Sequence, residues 1–561
     1  MKGTRYALCG KPMSKILPFM ESALQVKIDL SKEFPTTHPT WCSDLKSDIC
    51  TTDQNYLEKI VEGRISFSTL DRARHGTGHS QEDVFALRNG QNIRIPDAVL
   101  WPCSEQQVVA LVNAARLKGW CIIPYGGGTN VIEATRCPTK QVESRPILSV
   151  SMKCMNRILW LNEEDGLAHV EAGITGRELT EILDRRGYTM GHEPDSIEFS
   201  TLGGWIATKA SGMKRSKYGN IEDIVMSARI VSPDGVLWKG SSDQHIVSGR
   251  HSEGMDVRTF ALGSEGCLGI ITSAVIRVWP LPEVRKFDSV MFPRFEDGLQ
   301  FLRSLSRERY MTPSSVRLLD NAHFRMGQAL RPDEPTWFHQ AKDTLVKAIA
   351  SFYLTKDFNH DSVVCATINY EGSDREVREQ VATVKKLSGM YGGVMLGPRV
   401  GKAGYELTYM IAYLRDFAMT YHILGESFET FVQWSKIETL IAATKERIIA
   451  EHTSLLLPGV PFIGCRVTQL YHEGACLYFY LCMSFEGVDR ASAIFADLER
   501  VARDEILKQG GSLSHHHGLG KLRSSFAKER SSQEFQNVVT SIKDSIDKDN
   551  IFGARNGLYA P

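Results

Sequence analysis

The sequence predicts an α+β fold built from two large domains behind a mostly helical N-terminal segment. Two sequence patterns support this prediction. Short strands alternate with helices from Arg94 to Trp279, and longer helices with one clearly alternating strand follow Pro282. The run Pro280-Leu281-Pro282 separates them and indicates a domain boundary. The predicted segments are 1–90 (helical), 91–282 (first domain), 283–505 (second, α/β cap domain) and 506–561 (C-terminal histidine loop and helical tail).

Composition excludes several classes of protein. Of 561 residues, 42% are hydrophobic, which is ample material for folded domains. Lys plus Arg total 66 and Asp plus Glu total 66, so the formal net charge is zero and the chain is not expected to bind nucleic acid. No apolar run approaches the ~18 residues that a membrane-spanning helix needs.

The 12 cysteines indicate a reduced, intracellular protein. No two follow a C-x-x-C spacing, which disfavours zinc ribbons and redox pairs, and many sit in apolar surroundings, so we expect mostly buried thiols. The first residues lack the apolar core of a signal peptide, and the C-terminus does not match a peroxisomal tripeptide. We therefore expect either a cytosolic protein or one whose address is not in this chain.

The first domain has recognisable elements. Residues 95–102 predict a strand between prolines, 105–118 predict a helix that Gly119 ends, and 121–124 predict a buried strand. Further pieces are predicted at 146–150, 158–161, 168–171, 175–186, 225–231 and 269–278. Ahead of them, helices are predicted at 44–63 and 81–89.

The second domain is predicted to carry longer helices. They lie at 296–309, 374–391, 406–424 and 435–451. In the strand predicted at 475–485, apolar residues alternate with Cys476, Tyr478, Tyr480 and Cys482.

Three segments of the first domain combine glycines with hydroxyl-bearing residues. They are Pro124–Asn130, which follows a strand, Pro194–Gly212 and Gly263–Ile271. Glycine permits positive φ and leaves no Cβ, so backbone N–H groups can converge on an anion. A plain tight turn would explain any one of them. Three within ~150 residues favour one long, phosphate-bearing ligand.

The strings PYGGGTN, HEPDSIEFSTLGGWIATKASG and GSEGCLGII together resemble the FAD-binding domain of the p-cresol methylhydroxylase and vanillyl-alcohol oxidase superfamily. The resemblance implies a two-subdomain FAD-binding domain of the p-cresol methylhydroxylase type. It also implies noncovalent FAD, because Tyr125 and the glycines stand where covalent members carry a histidine. The implied cofactor-binding residues are Pro124, Tyr125, Gly126, Gly127, Gly128, Thr129, Asn130, Asp195, Ser196, Ile197, Glu198, Phe199, Ser200, Thr201, Thr208, Lys209, Ala210, Ser211, Glu265, Gly266, Cys267, Leu268, Gly269, Ile270 and Ile271.

Polar residues elsewhere admit two interpretations each. The histidines 515–517 could form a solvated loop, a metal site or, with Lys521, a loop for an anionic substrate. Tyr478 could lie at a core edge or act as an acid or base beside imidazoles. Arg415, at the margin of a helical apolar stripe, could extend to solvent or bind phosphate. Arg317 could pair with Asp320.

Several longer strings closely resemble the alkyldihydroxyacetonephosphate synthases. They are GACLYFY, SLSHHHGLGKLR, IAYLRDF, GHEPDS and NIFGARN, and the likeness runs from about Thr4 to Asn556. This family exchanges the acyl chain of 1-acyl-dihydroxyacetone phosphate for a long-chain fatty alcohol, which forms the ether bond of ether lipids through a flavin-N5 adduct without net redox change.

The resemblance implies a role for each candidate residue. Tyr478 would be the proton donor and acceptor at C1, His515, His516 and His517 would tune its proton and help to hold the phosphate, Arg415 would bind substrate and Arg317 would support the flavin site. No metal is implied. A homodimer, peripheral membrane contact and a peroxisomal location are implied.

Two alternatives stay open at this stage. An FAD-dependent 2-hydroxy-acid dehydrogenase of the lactate or glycolate type carries a related motif that His517-Gly518-Leu519-Gly520 overlaps, although Tyr478 and the histidine triplet favour the synthase. A flavin-binding protein without activity would leave those polar residues unexplained.

Overall fold

The computed structural model describes residues 10–35, 45–91, 93–238, 240–242, 245–246, 249–250, 252–308, 310–333, 359–407 and 411–560. Within these ranges no helix is long and apolar enough to cross a membrane.

Within the described ranges the α-helices, in chain order, are α1 (Ile16–Leu24), α2 (Thr51–Ile60), α3 (Thr69–Arg74), α4 (Gln81–Arg88), α5 (Glu105–Lys118), α6 (Gly176–Arg185), α7 (Leu202–Thr208), α8 (Arg215–Tyr218), α9 (Ile221–Ile224), α10 (Arg258–Ala261), α11 (Phe295–Leu305), α12 (Asn321–Ala329), α13 (Asp374–Met390), α14 (Pro398–Leu407), α15 (Ile411–Thr420), α16 (Ile437–Ser454), α17 (Ala491–Lys508), α18 (Ser524–Glu529) and α19 (Gln533–Ile546).

The strands of the same ranges are β1 (Ile65–Ser66), β2 (Ala98–Leu100), β3 (Cys121–Tyr125), β4 (Ile147–Ser151), β5 (Ile158–Asn162), β6 (Leu167–Glu171), β7 (Tyr188–Thr189), β8 (Val225–Ser232), β9 (Gly235–Leu237), β10 (Gly240–Ser242), β11 (His245–Ile246), β12 (Ile270–Arg277), β13 (Trp279–Pro280), β14 (Val284–Phe292), β15 (Ser315–Leu319), β16 (Val364–Gly372), β17 (Val394–Met395), β18 (Ile423–Gln433), β19 (Phe462–Leu470) and β20 (Gly474–Ser484).

The chain divides into two compact units, each made from two stretches of sequence. Residues 36–281 and 513–561 form the first, called here the small-sheet unit, and residues 1–35 and 282–512 form the second, the large-sheet unit. The break after Leu281 coincides with the Pro-Leu-Pro run. The units cut across the predicted 1–90 and 506–561 segments, because residues 1–35 group with the second half of the chain.

The small-sheet unit is built around a four-stranded and a five-stranded sheet. The first has the order β1-β2-β4-β3, with β4 parallel to both neighbours, and the second has the order β5-β6-β12-β8-β9 and is antiparallel. Helix α5 begins at the Ser104 N-cap and ends at Gly119, whose φ of 67° is the left-handed conformation that glycine tolerates best. Ile551 and Phe552 join the core of the four-stranded sheet, so the C-terminal segment is part of this unit's interior.

The large-sheet unit is built on one antiparallel seven-stranded sheet. Its order is β17-β14-β16-β15-β19-β20-β18. The strand predicted at 475–485 is β20; both of its edges pair with long strands, and the side chains on both of its faces are buried except for the partly exposed Cys482. The tyrosines therefore lie inside the sheet's packing and not at a core edge.

The helix predicted at 406–424 is wrong at its C-terminal end. Helix α15 stops at Thr420, His422 adopts a φ of 60°, and Ile423 opens β18. Eleven residues of β18 pair with β20, and that long-range ladder outweighs the local helical stripe. Residues 408–410 of the predicted helix lie outside the described residues.

Two other predicted elements are shorter in the structure. The helix predicted at 44–63 is α2, Thr51–Ile60, and Asp44 lies outside the described residues. The strand predicted at 95–102 is only Ala98–Leu100, because proline has no N–H to donate to a ladder at positions 96 and 102.

Candidate active site

The three glycine segments predicted to share a ligand come together in the small-sheet unit. A Cβ added at Gly126 would lie 2.5 Å from Thr201 Oγ1, and one added at Gly127 would overlap the carbonyl oxygen of Phe199. A Cβ at Gly266 would lie 3.2 Å from Pro124 Cδ. The first segment therefore packs directly against the second and the third, at separations that only glycine allows.

Most of the hydroxyl and amide side chains in these segments hold the segments themselves. Asn130 accepts from Ala134 N and donates to Thr135 Oγ1, Thr201 Oγ1 caps α7 by accepting from Gly204 N, and Ser211 Oγ donates to Asn220 Oδ1. Ser200 Oγ accepts from Trp205 Nε1 at 2.8 Å. A ligand in this place would be held mainly by backbone groups, which suits the phosphates of a dinucleotide.

Charged and thiol side chains of the same segments also have protein partners. Glu198 pairs with Arg177, and the Cys267 thiol is buried, which raises its pKa to about 11. Glu265, at a φ of 47°, turns its carboxylate to the histidine loop: Oε1 accepts from Leu519 N at 2.5 Å and Oε2 from Gly520 N at 2.7 Å. Burial raises the pKa of this carboxyl, while the two N–H donors lower it. Direct cofactor contact by these three side chains stays a prediction.

The three consecutive histidines lie in a structured loop that follows Ser512. His515 Nδ1 lies 2.8 Å from His516 Nδ1, and the rings of His516 and His517 meet edge to face at 4.5 Å between centroids. Gly518 N donates to Ser514 Oγ, and Arg523 Nη1 donates back to the Gly518 carbonyl. The loop is thus fixed by hydrogen bonds rather than solvated.

Lys521 has a different role from the one its sequence context favours. Its ammonium donates to the carbonyls of Glu133 and Ala134 and to Asn556 Oδ1, at 2.9–3.1 Å. Burial lowers its pKa. Asn556 in turn donates to the carbonyls of Ala134 and Glu265. The cation joins the histidine loop to the segment after the first glycine loop, and a substrate anion would have to displace these contacts to reach it.

A buried imidazole that the sequence did not single out lies in the same unit. His192 is 4% exposed, its ring is 4.8 Å from that of Trp205, and among the described residues neither ring nitrogen has a hydrogen-bond partner. Burial, and then the neighbouring His516, lower its pKa to about 3. His192 belongs to the string GHEPDS, so its signal was present in the resemblance.

Tyr478, in the large-sheet unit, is enclosed by polar neighbours on one face of the sheet. It is 7% exposed, and its hydroxyl lies 3.4 Å from Ser427 Oγ. Its cross-strand partners are Glu429 on β18 and Arg466 on β19. The guanidinium carbon of Arg466 lies 4.6 Å from the centre of the Tyr478 ring and 5.4 Å from that of Tyr480.

The two predicted arginines are buried near this sheet. Arg415 Nη1 donates to Glu426 Oε2 at 2.7 Å, and the side chains are 10% and 8% exposed, so Arg415 does not extend to solvent. Arg317 is 2% exposed with its guanidinium 4.8 Å from the Tyr405 ring centre. Asp320, the partner considered for Arg317, pairs with Lys445 at 2.6 Å.

The sequence did not reveal Arg466 or His323. Arg466 is the one charged residue in the otherwise apolar or neutral run of β19, a signal that points to an interior partner but does not say which. His323 is 3% exposed, its ring meets that of Tyr480 at 4.7 Å, and burial followed by the charges of Arg466, Arg317 and Lys445 lowers its pKa to about 3.

The predicted residues fall into two groups. Tyr478, Arg317 and Arg415 belong to the large-sheet unit, while the three histidines and all predicted cofactor segments belong to the small-sheet unit.

Two family models match consecutive parts of the chain. A family model described as an FAD binding domain matches residues 96–241, and one described as the C-terminal domain of FAD linked oxidases matches residues 281–556. A solved p-cresol methylhydroxylase structure matches with a TM-score of 0.69 at 14% identity, over 92% of this chain and 98% of that one, which confirms the predicted fold. The FAD-binding domain is likewise confirmed.

Two relatives that match over most of both lengths share one name. The alkyldihydroxyacetonephosphate synthase of Caenorhabditis elegans is 39% identical over 99% of this chain and 91% of its own length, and that of Dictyostelium discoideum is 31% identical over 95% and 83%. A solved alkyldihydroxyacetonephosphate synthase structure has a TM-score of 0.81 at 28% identity, covering 96% of this chain and 92% of that one. A mitochondrial D-lactate dehydrogenase of Arabidopsis thaliana is 24% identical over 88% of this chain and 78% of its own length, a more distant likeness. The chain therefore belongs to the alkyldihydroxyacetonephosphate synthase family of FAD-dependent enzymes.

Proposed function

We propose that this enzyme exchanges the acyl chain of 1-acyl-dihydroxyacetone phosphate for a long-chain fatty alcohol. The acyl–oxygen group leaves C1 as a fatty acid, the alcohol oxygen takes its place, and no electrons are gained or lost overall. The observation that carries the proposal is the likeness to synthases along 99% of the chain, which includes Tyr478 on the buried strand β20.

Each polar residue has a task in this reaction. Tyr478 takes a proton from C1 and later returns one, and a carbon acid beside a ketone needs such a positioned base. His515, His516 and His517 supply imidazoles that tune this proton and help to hold the phosphate. Arg415 exchanges Glu426 for the substrate's phosphate, and Arg317 supports the flavin side of the site.

The converged glycine segments fit FAD because their side chains are occupied and their backbone is left for phosphates. The residues that would hold it lie in Pro124–Asn130, Asp195–Thr201, Thr208–Ser211 and Glu265–Ile271. When bound, FAD would supply an electron-poor ring system that activates C1 without net redox change.

FAD is expected to be held noncovalently, since Tyr125 occupies the histidine position of covalent relatives and donates its hydroxyl to the Arg74 carbonyl at 3.0 Å. Acid precipitation should release the yellow colour into the supernatant. Flavin that stays with the precipitated protein would contradict this prediction.

Location and assembly follow from the same proposal. The two substrates are lipids, so the enzyme works as a peripheral protein at a membrane surface. The family resemblance adds that it is a homodimer and that it lies in the peroxisome. Vesicle flotation, sedimentation of the purified protein and cell fractionation test these three statements separately.

The test of the reaction is incubation of the purified protein with acyl-dihydroxyacetone phosphate and a labelled fatty alcohol, without oxygen or dye. Labelled ether product and free fatty acid in equal amounts are expected. A strict need for an electron acceptor, with turnover of a 2-hydroxy acid, would assign the protein to the dehydrogenases instead. Flavin binding with neither reaction would leave a flavoprotein without this activity.

A further inference from the structure

The large-sheet unit holds a row of polar side chains across one face of its sheet. Residues directly opposite in an antiparallel pair project to the same face. Arg466 lies opposite Tyr478, and Tyr478 lies opposite Glu429, so these three side chains line up across β19, β20 and β18. Leu319 lies opposite Arg466, which places Arg317, two residues earlier on β15, on that face as well.

Within this row Arg466 is the cation stacked on the tyrosine ring. It is 4% exposed, and its guanidinium carbon is 4.6 Å from the Tyr478 ring centre. A cation at this distance interacts weakly with a neutral phenol and much more strongly with a phenolate, whose negative charge is spread over the oxygen and the ring. Desolvation strengthens the difference because water does not screen it.

We propose that Arg466 is a positioning residue that stabilises the phenolate of Tyr478 and so prepares it to take the C1 proton. In that step the C1–H bond breaks, the phenol O–H bond forms, and the electron pair stays on C1 beside the ketone. This inference rests on the proposed function for the identity of the substrate, but the interaction between the two side chains exists without it.

The other groups around Tyr478 define what Arg466 has to outweigh. Glu429 is the acidic neighbour on β18 and opposes a phenolate, Ser427 offers a hydroxyl at 3.4 Å, and Tyr480 shares the same guanidinium. Beyond Arg466, Lys445 is paired with Asp320.

His323, whose ring lies 4.7 Å from that of Tyr480, is exposed to the same positive charges. Burial contributes most to its lowered pKa, and the charges of Arg466, Arg317 and Lys445 lower it further. The field that disfavours a positive imidazole at His323 favours a negative phenolate on the neighbouring strand.

The test compares the pH dependence of ether formation in the wild type and in Arg466→Met, which keeps the length of the side chain and removes its charge. An opposite charge within ~4–6 Å shifts an ionisation by 1–3 pH units. The rising limb of the pH–rate profile should therefore move to higher pH by about one unit or more, with a loss of roughly tenfold or more in rate at neutral pH. In Arg466→Lys the rising limb should return most of the way to its wild-type pH.

Arg503→Met is the matched control. Arg503 is equally buried and also lies over an aromatic ring, with its guanidinium carbon 5.4 Å from the centre of the Phe428 ring, but Phe428 points to the opposite face from Glu429 and Tyr478. It should lower stability without moving the limb. An unchanged limb in Arg466→Met, or an equal shift in Arg503→Met, would overturn the proposal.

A spectroscopic titration separates this inference from the proposed function. The near-ultraviolet absorbance of tyrosinate is followed against pH in each protein and in the same protein that also carries Tyr478→Phe. Subtracting the second curve from the first isolates Tyr478 among 17 tyrosines. The Tyr478 signal should appear at higher pH without the Arg466 charge, whether or not ether product forms. If Arg466→Met does not fold, Arg466→Gln serves as the neutral variant. If the wild type makes no ether, but its Tyr478 signal still appears at lower pH than that of Arg466→Met, only the proposed function is rejected.

Discussion

At the scale of single residues, each unit holds buried charges with assigned partners. Glu265 holds two backbone amides of the histidine loop, Lys521 holds two carbonyls and an amide oxygen, and Arg415 holds Glu426. The family resemblance implied a cofactor contact for Glu265 and a substrate contact for Arg415, and the loop context allowed an anionic substrate at Lys521. Residue type indicated that these positions matter, while the partner depended on contacts distant in sequence.

Tyr478→Phe should leave folding and FAD content intact, because the ring keeps its packing on β20 and loses only the hydroxyl. Ether formation should fall by ~10²–10⁴, the usual contribution of a positioned acid–base group. Product assay and flavin absorbance on the same preparation measure both.

Tyr480→Phe is the matched control for that variant, since Tyr480 shares the face and the 7% exposure. Near-normal turnover by Tyr478→Phe with full FAD would make Tyr478 structural and would turn attention to the histidine loop.

Lys521→Met should lower thermal stability and FAD occupancy together. It removes a buried ammonium that donates three hydrogen bonds, a loss on the order of 1–3 kcal/mol: Asn556 Oδ1 loses this donor, while the carbonyls of Glu133 and Ala134 keep the donors Arg136 N and Asn556 Nδ2. The segment after the first glycine loop then loses its link to the histidine loop, and we expect the neighbouring predicted flavin contacts to weaken with it. Differential scanning fluorimetry and flavin content per protein are the measurements.

A phosphate-binding role for Lys521 predicts the reverse pattern: a higher KM for the acyl substrate with full flavin content. Lys528→Met, on the nearby helix α18, is the control and should change neither quantity.

At the scale of elements, the close packing of three loops is enough to require glycine where the first segment meets the second. Gly127 was expected to leave room for a phosphate, yet the nearest obstacle to its Cβ is the carbonyl of Phe199. The glycine pattern was sufficient to predict that the segments meet.

Strand pairing was harder to predict than loop convergence. The sequence predicted β20 and its alternation but not β19 beside it, because the pairing of Arg466 with Tyr478 joins residues whose proximity no local pattern reports. The same long-range ladder converted the end of the predicted helix 406–424 into β18. Local periodicity predicted where elements lie, and neighbours across the sheet decided which kind they are.

Gly127→Val should prevent FAD retention. Its side chain would collide with the Phe199 backbone and force the first and second segments apart, and backbone cannot yield as a flexible side chain can. The purified variant should be colourless, with a lowered melting temperature.

Gly389→Val is the control for this variant. No atom lies within 4 Å of the Cβ built at Gly389 in helix α13, so its cost should be small and the flavin should be retained. A yellow Gly127→Val protein would show that the loops tolerate separation.

At the scale of the whole molecule, buried neutral histidines should make stability depend on pH. The pKa values of His192 and His323 are both lowered to about 3, one in each unit. As the pH falls below ~6.5, the unfolded chain takes up a proton at each site and the folded chain does not, so stability falls with pH between about 6.5 and 3. The loss is about 2 kcal/mol per histidine at pH 5 relative to pH 7.

His323→Phe isolates one of these contributions, because it keeps an aromatic ring against Tyr480 and removes the titration. The difference between its melting temperatures at pH 7 and pH 5 should be smaller than that of the wild type. His360→Gln, whose side chain is exposed, should retain the wild-type difference. Equal differences in wild type and His323→Phe would mean that this imidazole does not remain neutral.

The division of each unit into two stretches of sequence has a consequence for biosynthesis. The carbonyl of Leu24 accepts a hydrogen bond from Val460 N. Strand β3, which begins at Cys121, is hydrogen-bonded to Ile551. A ribosome must therefore release the chain to about residue 512 before the large-sheet unit can close, and the small-sheet unit closes only after residues 513–561 have followed. Since those residues carry the histidine loop, Lys521 and Asn556, a prematurely terminated chain would lack the parts that tie the cofactor segments together. Flavin retention would in this way report that translation has passed Asn556.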